Sequence, residues 1–248
     1  MHQQLANATF RIQCATSSGS GFSFRSRQII ITNYHVIAPH FAGAQAIYAF
    51  AEDGAQLALR VLAHSPEDQF DFAIMEALAD VGASRYILQP DAAAVIGRGT
   101  KTIFAGFPHG VPDLLVHEAI VSGPANPNGF YVDGSVNGGN SGGPIIDGTT
   151  GLAIGIVTQR RFMGGTQLGQ LRTQVAQLAQ HCQSMAGSGQ VIIMGVDFGK
   201  FAQMMAGGFS VIDQILQMNA NSGIGIGFHI SHVNAEFDRL VSAGQVRI

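Results

Sequence analysis

The chain has 248 residues, of which only 12% are charged and 32 are glycine, and its formal net charge is −3. Low charge and abundant glycine favour a turn-rich β protein over a helical bundle or a disordered chain, and this length can form one large domain. The weak negative charge and the lack of any Lys or Arg run exclude a nucleic-acid-binding footprint.

The N-terminal residues lack the basic and apolar stretches of a signal peptide, and no apolar run reaches the roughly 18 residues of a membrane span. Cys14 and Cys182 are the only cysteines. Two cysteines are a weak framework for a secreted domain, so we expect two free thiols. These features predict a cytoplasmic protein with no membrane partner.

Residues 9–160 consist of short apolar runs broken by Gly, Pro, Asn and Asp. Many short strands at this spacing are typical of a barrel or a sandwich. A short helical turn is expected at His35–Ala38. The predicted strands are Thr9–Ala15, Gly21–Phe24, Gln28–Asn33, Ala46–Ala51, Leu57–Ala63, Phe72–Glu76, Thr102–Phe107, Leu114–Val121, Phe130–Val132, Gly143–Ile146 and Ala153–Thr158.

The pattern changes near Gly164. From Thr166 to Met185 the apolar residues recur at intervals of three and four, which predicts an amphipathic helix with a Gln-rich polar face. After it we predict a strand at Val191–Val196, helices at Phe198–Ala206 and Phe209–Met218 separated by Gly207 and Gly208, a strand at Ile224–Ile230 and a closing helix at Val233–Ser242.

The most distinctive segment runs from Gly138 to Pro144 and reads Gly-Gly-Asn-Ser-Gly-Gly-Pro. A serine nucleophile needs a sharp turn that exposes its hydroxyl. Glycines permit the positive φ values of such a turn and the close approach of a substrate carbonyl. We therefore predict Ser141 as the nucleophile and the N–H groups of Gly139 and Ser141 as oxyanion donors.

A serine is a poor nucleophile without a base. Among nine histidines we predict His35 as this base, because it follows the apolar strand Gln28–Asn33, which would place its imidazole at a strand end facing a cleft. Asp71 immediately precedes an apolar strand, where a carboxylate is costly without a partner, so we predict that it orients His35. The competing carboxylate, Asp68, lies in a polar run.

Three segments resemble the signature segments of trypsin-like peptidases, in the same order: Thr-Asn-Tyr-His-Val around His35, Asp-Phe-Ala-Ile from Asp71, and Gly-Asn-Ser-Gly-Gly-Pro around Ser141. Further similarity to the HtrA/Deg branch lies in Gly-Ser-Gly-Phe from Gly19, Gly-Phe-Pro from Gly106, and the strand at 224–230.

The resemblance implies a mainly β fold of two six-stranded-type β-barrels, with the triad in the cleft between them and a helical insertion near the C-terminal part. The single protease domain, 1–248, would comprise an N-terminal barrel at 9–90 and a C-terminal barrel with its closing helix at 91–161 and 223–248. No PDZ domain would follow.

The same resemblance implies a serine endopeptidase that hydrolyses peptide bonds in protein or peptide substrates, with no metal or cofactor. Two alternatives remain open: a catalytically silent peptide-binding or scaffold module on the same fold, and an esterase using the same nucleophile. Many esterases carry a Gly-x-Ser-x-Gly segment between a strand and a helix, and that context is absent here because a strand, Gly143–Ile146, is predicted after Ser141.

Residues 162–222 are interpreted as an insertion beside the primary specificity pocket. In an alternative alignment, residues 191–206 form the closing unit and 223–248 an extra tail. The amphipathic helix within 162–222 either covers the barrel or binds a regulatory protein partner or another copy.

By resemblance, the substrate pocket is formed by Val136 with Ile226 and Phe228. The sixth residue before the nucleophile is Ser135 rather than an acid, so a preference for Arg or Lys is disfavoured, and we expect a small or medium aliphatic P1 residue. His229 either reads an acidic side chain or serves a structural role.

Overall fold

The computed structural model describes two compact units, Met1–Arg161 with Gly223–Ile248, and Phe162–Ser222. The residues it describes are 1–160, 165–187, 192–193, 195–219 and 223–246.

The first barrel of the larger unit is closed by six antiparallel strands in the order β1-β2-β3-β6-β5-β4. Alternate residues of each strand face opposite sides, and in β1 the side chains of Phe10, Ile12 and Cys14 are buried inside. The elements are β1 (Thr9–Cys14), β2 (Ser17–Phe24), β3 (Ser26–Thr32), α2 (Tyr34–Gly43), β4 (Ile47–Phe50), β5 (Gln56–Ser65) and β6 (Phe72–Ala77), preceded by a short helix α1 (His2–Ala8).

The second barrel is likewise closed and antiparallel, in the order β10-β11-β14-β9-β8-β7. A chain segment far along the sequence, β14, completes it by pairing with both β11 and β9. Its elements are β7 (Lys101–Gly106), β8 (Leu115–Asn126), β9 (Gly129–Asp133), β10 (Pro144–Asp147), β11 (Ala153–Arg160) and β14 (Ile224–His229). The prediction of two six-stranded barrels is confirmed.

A shared apolar cluster joins the two barrels to both terminal helices. Helix α5 (Ile230–Ser242) buries Phe237 completely, and its ring meets the ring of Phe24 edge-on at 5.9 Å between centroids. Helix α1 contributes the fully buried Leu5 to the same cluster. Because burying such side chains stabilises a fold by roughly 2 kcal/mol each, this cluster holds the two barrels in the register that the site requires.

The smaller unit contains two 22-residue helices, α3 (Gly165–Ala186) and α4 (Phe198–Asn219), and two short paired strands, β12 (Ile192–Ile193) and β13 (Val196–Asp197). The prediction of two helices separated by Gly207 and Gly208 is wrong, because α4 continues through both glycines. Each glycine costs only about 1 kcal/mol in a helix, which packing against α3 can offset. No helix among the described residues is long and apolar enough to cross a membrane.

Candidate active site

His35 and Asp71 lie at the same end of a strand pair. His35 is in the first turn of α2 directly after β3, and Asp71 immediately precedes β6. β3 and β6 are antiparallel neighbours, with Thr32 opposite Ala73, so the two segments leave the sheet side by side. This pairing brings together residues that are 36 positions apart in the sequence.

The His35 imidazole is held by the Asp71 carboxylate. Its Nδ1 lies 2.8 Å from Oδ2 of Asp71, and the backbone N–H of His35 donates to Oδ1 at 3.1 Å. Burial opposes the charge on the imidazole, but the hydrogen bond and the negative charge of Asp71 outweigh it, so the pKa of His35 is raised. Asp71 therefore fixes Nδ1 as the protonated nitrogen and leaves Nε2 as the basic one.

Asp71 itself is fully buried and adopts a left-handed backbone conformation, with φ at +46°. Such a conformation is uncommon outside glycine, although aspartate tolerates it better than most residues. The Asn33 side-chain amide donates to the Asp71 carbonyl at 2.7 Å, and the Asp71 N–H donates to the carbonyl of Pro66 at 3.0 Å. These two bonds hold the strained backbone that aims the carboxylate at His35.

Thr158 is a site residue that the sequence reasoning missed. Its hydroxyl donates to Oδ2 of Asp71 at 2.6 Å, and it is buried. The pairing of β11 with β14 shifts register between Val157 and Gln159, so Thr158 sits in a β-bulge. A bulge changes the direction of a side chain, and here it turns the Thr158 hydroxyl of the second barrel toward Asp71 of the first barrel. No local motif signals this contact across 87 positions.

The Ser141 hydroxyl donates to the Thr158 carbonyl at 3.1 Å, and within the described residues no hydrogen bond joins it to His35. Thr158 thus contacts two of the three predicted triad residues, one through its hydroxyl and one through its carbonyl. Rotation about the side-chain torsion of Ser141 would release this bond without moving the backbone.

The turn that carries Ser141 requires glycine at two positions. Gly139 has φ at +94° and Gly142 at +86°, and a side chain at either would collide with a backbone carbonyl, that of Phe107 or Ser20 respectively. Across the described part of the chain, the N–H groups of Gly139 and Ser141 donate to no protein acceptor. Two unpaired donors flanking a serine hydroxyl are what an oxyanion hole needs.

Ser20 is a second residue that the sequence reasoning did not assign. It is fully buried, and its hydroxyl donates to the Gly139 carbonyl at 2.7 Å while accepting the Phe107 N–H at 2.9 Å. Its own N–H donates to the Ser141 carbonyl at 2.7 Å. Ser20, in the first barrel, therefore bonds the carbonyls of both Gly139 and Ser141 in the oxyanion turn, which belongs to the second barrel.

We expect Ser20→Ala to lower kcat by about 10- to 100-fold with little change in KM, because it leaves the Gly139 carbonyl and the Phe107 N–H unpaired and frees the oxyanion turn. Steady-state kinetics on a peptide substrate measures kcat and KM separately. Ser18→Ala is the matched control, since none of the described hydrogen bonds uses the Ser18 hydroxyl. A lower Tm with unchanged kcat would reduce Ser20 to a purely structural role.

The structure does not bring the predicted pocket residues together. Val136 is buried against β14, where a Cβ on Gly225 would collide with its side chain. Ile226 and Phe228 alternate with the inward-facing glycines of β14 and therefore project from the opposite face of the strand. The glycine face of β14, rather than the face of its larger residues, lies beside Val136.

His229 lies against Phe130, with the ring planes at 66° and the centroids 5.3 Å apart. Burial lowers its pKa, so the imidazole is neutral near neutral pH and offers no fixed positive charge to an acidic substrate. None of the described contacts joins it to the triad. Among the described residues, no group of three His, Cys, Asp or Glu side chains could hold a metal ion.

Comparison with known proteins identifies a family. Residues 19–156 match the family model of the trypsin-like peptidase domain. A probable periplasmic serine endoprotease, DegP-like, from Hahella chejuensis is 30% identical over 164 residues, which cover 63% of this chain and 33% of the relative. The serine protease Do-like HtrA of Bacillus subtilis is 27% identical, covering 57% of this chain and 33% of that protein. The matched part thus spans about a third of these relatives.

Two solved structures share the fold. The serine endoprotease from Yersinia pestis has a TM-score of 0.54 and 23% identity, covering 64% of this chain and 58% of that one. Deg5 has a TM-score of 0.53 and 22% identity, covering 63% of this chain and 81% of that one.

The cytoplasmic location predicted from the sequence is wrong, since the DegP-like relatives from Hahella chejuensis and Pseudomonas fluorescens are both described as periplasmic. The predicted resemblance to HtrA proteases is confirmed by the relatives from Hahella chejuensis and Bacillus subtilis and by the barrel topology. With more than half of its length matched by the family model, the chain belongs to the trypsin-like peptidase family, with HtrA and DegP serine proteases among its relatives.

Proposed function

We propose that the chain is a serine endopeptidase in which Ser141 attacks the scissile carbonyl carbon and His35 is the general base. The observation that carries this proposal is the contact of the buried Asp71 carboxylate with His35 Nδ1, 2.8 Å. Thr158 bonds both Asp71 and Ser141, and the turn that carries Ser141 has two unpaired N–H donors. A base oriented by a carboxylate and unpaired N–H donors in the turn of a serine are the groups that acyl transfer to a serine requires.

In the first step, Ser141 Oγ forms a bond to the carbonyl carbon as Nε2 of His35 takes the hydroxyl proton. The negative charge that develops on the carbonyl oxygen is stabilised by the N–H groups of Gly139 and Ser141. His35 then gives its proton to the leaving amine as the C–N bond breaks. Water, deprotonated by His35, attacks the acyl-serine and releases the new carboxylate product while Ser141 regains its proton.

The proposed P1 preference is a small or medium aliphatic side chain. What supports this preference is that the buried, apolar side chain of Val136 fills the space beside Gly225. A cationic P1 side chain would lose its hydration there without gaining a paired carboxylate.

One observation favours the alternative of a catalytically silent binding module: the Ser141 hydroxyl is bonded to Thr158 rather than to His35. The silent module predicts no turnover under any condition, whereas the endopeptidase predicts turnover once substrate displaces that bond.

The experiment incubates the full chain with β-casein, an unfolded protein, and sequences the products by mass spectrometry. We expect internal cleavages, mostly after Val, Ala or other small aliphatic residues, that are absent with Ser141→Ala. Products that form equally with Ser141→Ala would refute the proposal, as would a complete lack of products. Cleavage mainly after Arg or Lys would refute the pocket assignment alone.

The activity should depend on pH through His35. Because its pKa is raised from the usual 6.5, the neutral imidazole that acts as base is lost as pH falls through that higher value. We expect kcat/KM to rise with pH as a single ionisation whose midpoint lies above 6.5. The same shift stabilises the fold below the unfolded pKa and loses that contribution as pH rises through the folded one. A midpoint below 6.5 would rule out His35 as the titrating base.

A further inference from the structure

The smaller unit is a helical hairpin with its own interior seam. Helices α3 and α4 are antiparallel, and Arg172 of α3 forms an ion pair with Asp213 of α4 at 2.9 Å. Val175, Ala202 and Ala206 are buried in the seam. This seam uses only part of the apolar surface that the two helices carry.

Exposed large apolar side chains are concentrated on this hairpin and its short strands. Among the described residues, 12 of the 19 exposed large hydrophobic side chains lie between 165 and 219. Eight of them, each between 36% and 49% exposed, form what we call the apolar face: Leu171, Leu178, Met185, Phe198, Phe201, Met205, Ile212 and Ile215.

The apolar face occupies one side of the hairpin. On α3 its members recur every seven residues, and on α4 most are three, four or seven residues apart. The groove on the other side is lined mainly by polar residues, with two small alanines and one phenylalanine: Ala176, Ala179, Gln180, Gln183, Phe209, Ser210, Asp213 and Gln214. At about 100° of rotation per residue, the stripes of both helices project from the side opposite this groove. Apolar residues spaced three, four or seven apart are typical of helix surfaces that pack against other helices.

The size of the apolar face matches a dimer. Its eight side chains expose on the order of 600 Å² per hairpin, so pairing two copies would bury on the order of 1,200 Å², the lower bound of a stable protein–protein interface. None of the eight carries a charge, so the surface is complementary to itself, as a twofold interface requires.

Two other occupants fit less well. The exposed large apolar side chains of the larger unit are scattered over separate elements rather than grouped in a patch of this size: Met1, Phe41, Leu78, Tyr86, Val95, Val111 and Ile120. A lipid surface favours helices rich in Lys and Arg, but the described part of the hairpin has only Arg172, which is paired, and Lys200.

We propose that the apolar face binds the apolar face of a second copy of this chain, so that two hairpins form a four-helix bundle and the protein is a twofold dimer. Residues 162–222 would then serve assembly, and each protease unit would keep its own complete set of catalytic groups.

Sedimentation of the full chain over a concentration series tests this proposal. We expect wild type to sediment at about twice its 26.1 kDa mass and to dissociate at roughly micromolar concentrations. The double variant Phe201→Glu, Ile212→Glu should weaken the dimer at least ~100-fold, because pairing would bury four unpaired carboxylates. The matched control, Gln183→Glu with Gln214→Glu on the polar groove, should remain a dimer.

Far-UV circular dichroism establishes that the variants keep their helices, and the milder pair Phe201→Gln, Ile212→Gln replaces any variant that does not. A wild type that stays monomeric at about 100 µM overturns the proposal whatever the variants do, and so does a monomer that co-sediments with phosphatidylglycerol vesicles. A dimer that survives in the folded face variants as it does in the control also overturns it, since it would use another surface.

Discussion

Replacing Ser141 with alanine is expected to lower kcat by roughly 10⁶, to the level that binding and the oxyanion donors alone provide. The substitution removes the proposed nucleophilic oxygen, which lies in the turn that carries the two unpaired N–H groups. Within the described part of the chain, its hydroxyl makes one hydrogen bond, to the Thr158 carbonyl, so the fold should be little affected. Initial rates on a fluorogenic peptide, with Tm as the check on folding, measure the effect. Retention of more than about a hundredth of wild-type activity would exclude Ser141 as the nucleophile.

Replacing Asp71 with asparagine is expected to lower kcat by roughly 10⁴ at neutral pH. Both carboxylate oxygens of Asp71 accept hydrogen bonds, from the N–H of His35, from its Nδ1 and from the Thr158 hydroxyl. An amide cannot accept all three. If its nitrogen faces the imidazole, it donates to Nδ1 and forces the proton onto Nε2, the nitrogen that must take the proton of Ser141. If its nitrogen faces the backbone N–H, two donors are opposed.

The Asp71→Asn variant also has a signature beyond the rate. Asp71 raises the pKa of His35, so the variant's kcat/KM profile should move to lower pH. Asp68→Asn is the matched control, because Asp68 is exposed and lies three residues before Asp71 in the same loop, so its substitution should leave both the rate and the profile unchanged. A control that loses as much activity as Asp71→Asn, or an Asp71→Asn enzyme at full rate, would contradict the assignment.

Much of the candidate site could be predicted from the sequence because its reactive residues lie in short segments with distinctive local patterns. A histidine directly after an apolar strand, an aspartate directly before one and a serine within a glycine-rich turn can each be found without knowing how the strands pair. The pairing of β3 with β6 then brings His35 and Asp71 together. These local patterns are recognisable in the sequence because the turn and the strand ends themselves require those residue types.

The contacts of Ser20 and Thr158 could not be anticipated, because they depend on the packing of one barrel against the other. Ser20 reaches a carbonyl 119 positions away, and Thr158 reaches Asp71 only through a bulge in β11. By contrast, the placement of Ile226 away from Val136 follows from strand alternation, since the neighbouring glycines occupy the inward positions. The continuous helix through Gly207 and Gly208 shows packing overriding local propensity.

The central claim is that Ser141 is a nucleophile activated by His35 and Asp71. A fluorophosphonate reacts only with a serine whose hydroxyl is activated and whose oxyanion donors are in place. The decisive measurement is therefore the mass spectrum of the full chain after reaction with a fluorophosphonate, with peptide mapping of the adduct. We expect one adduct per chain, located on Ser141, at a rate that falls sharply in Asp71→Asn. An adduct on another serine, or equal labelling of Ser141→Ala, would contradict this account.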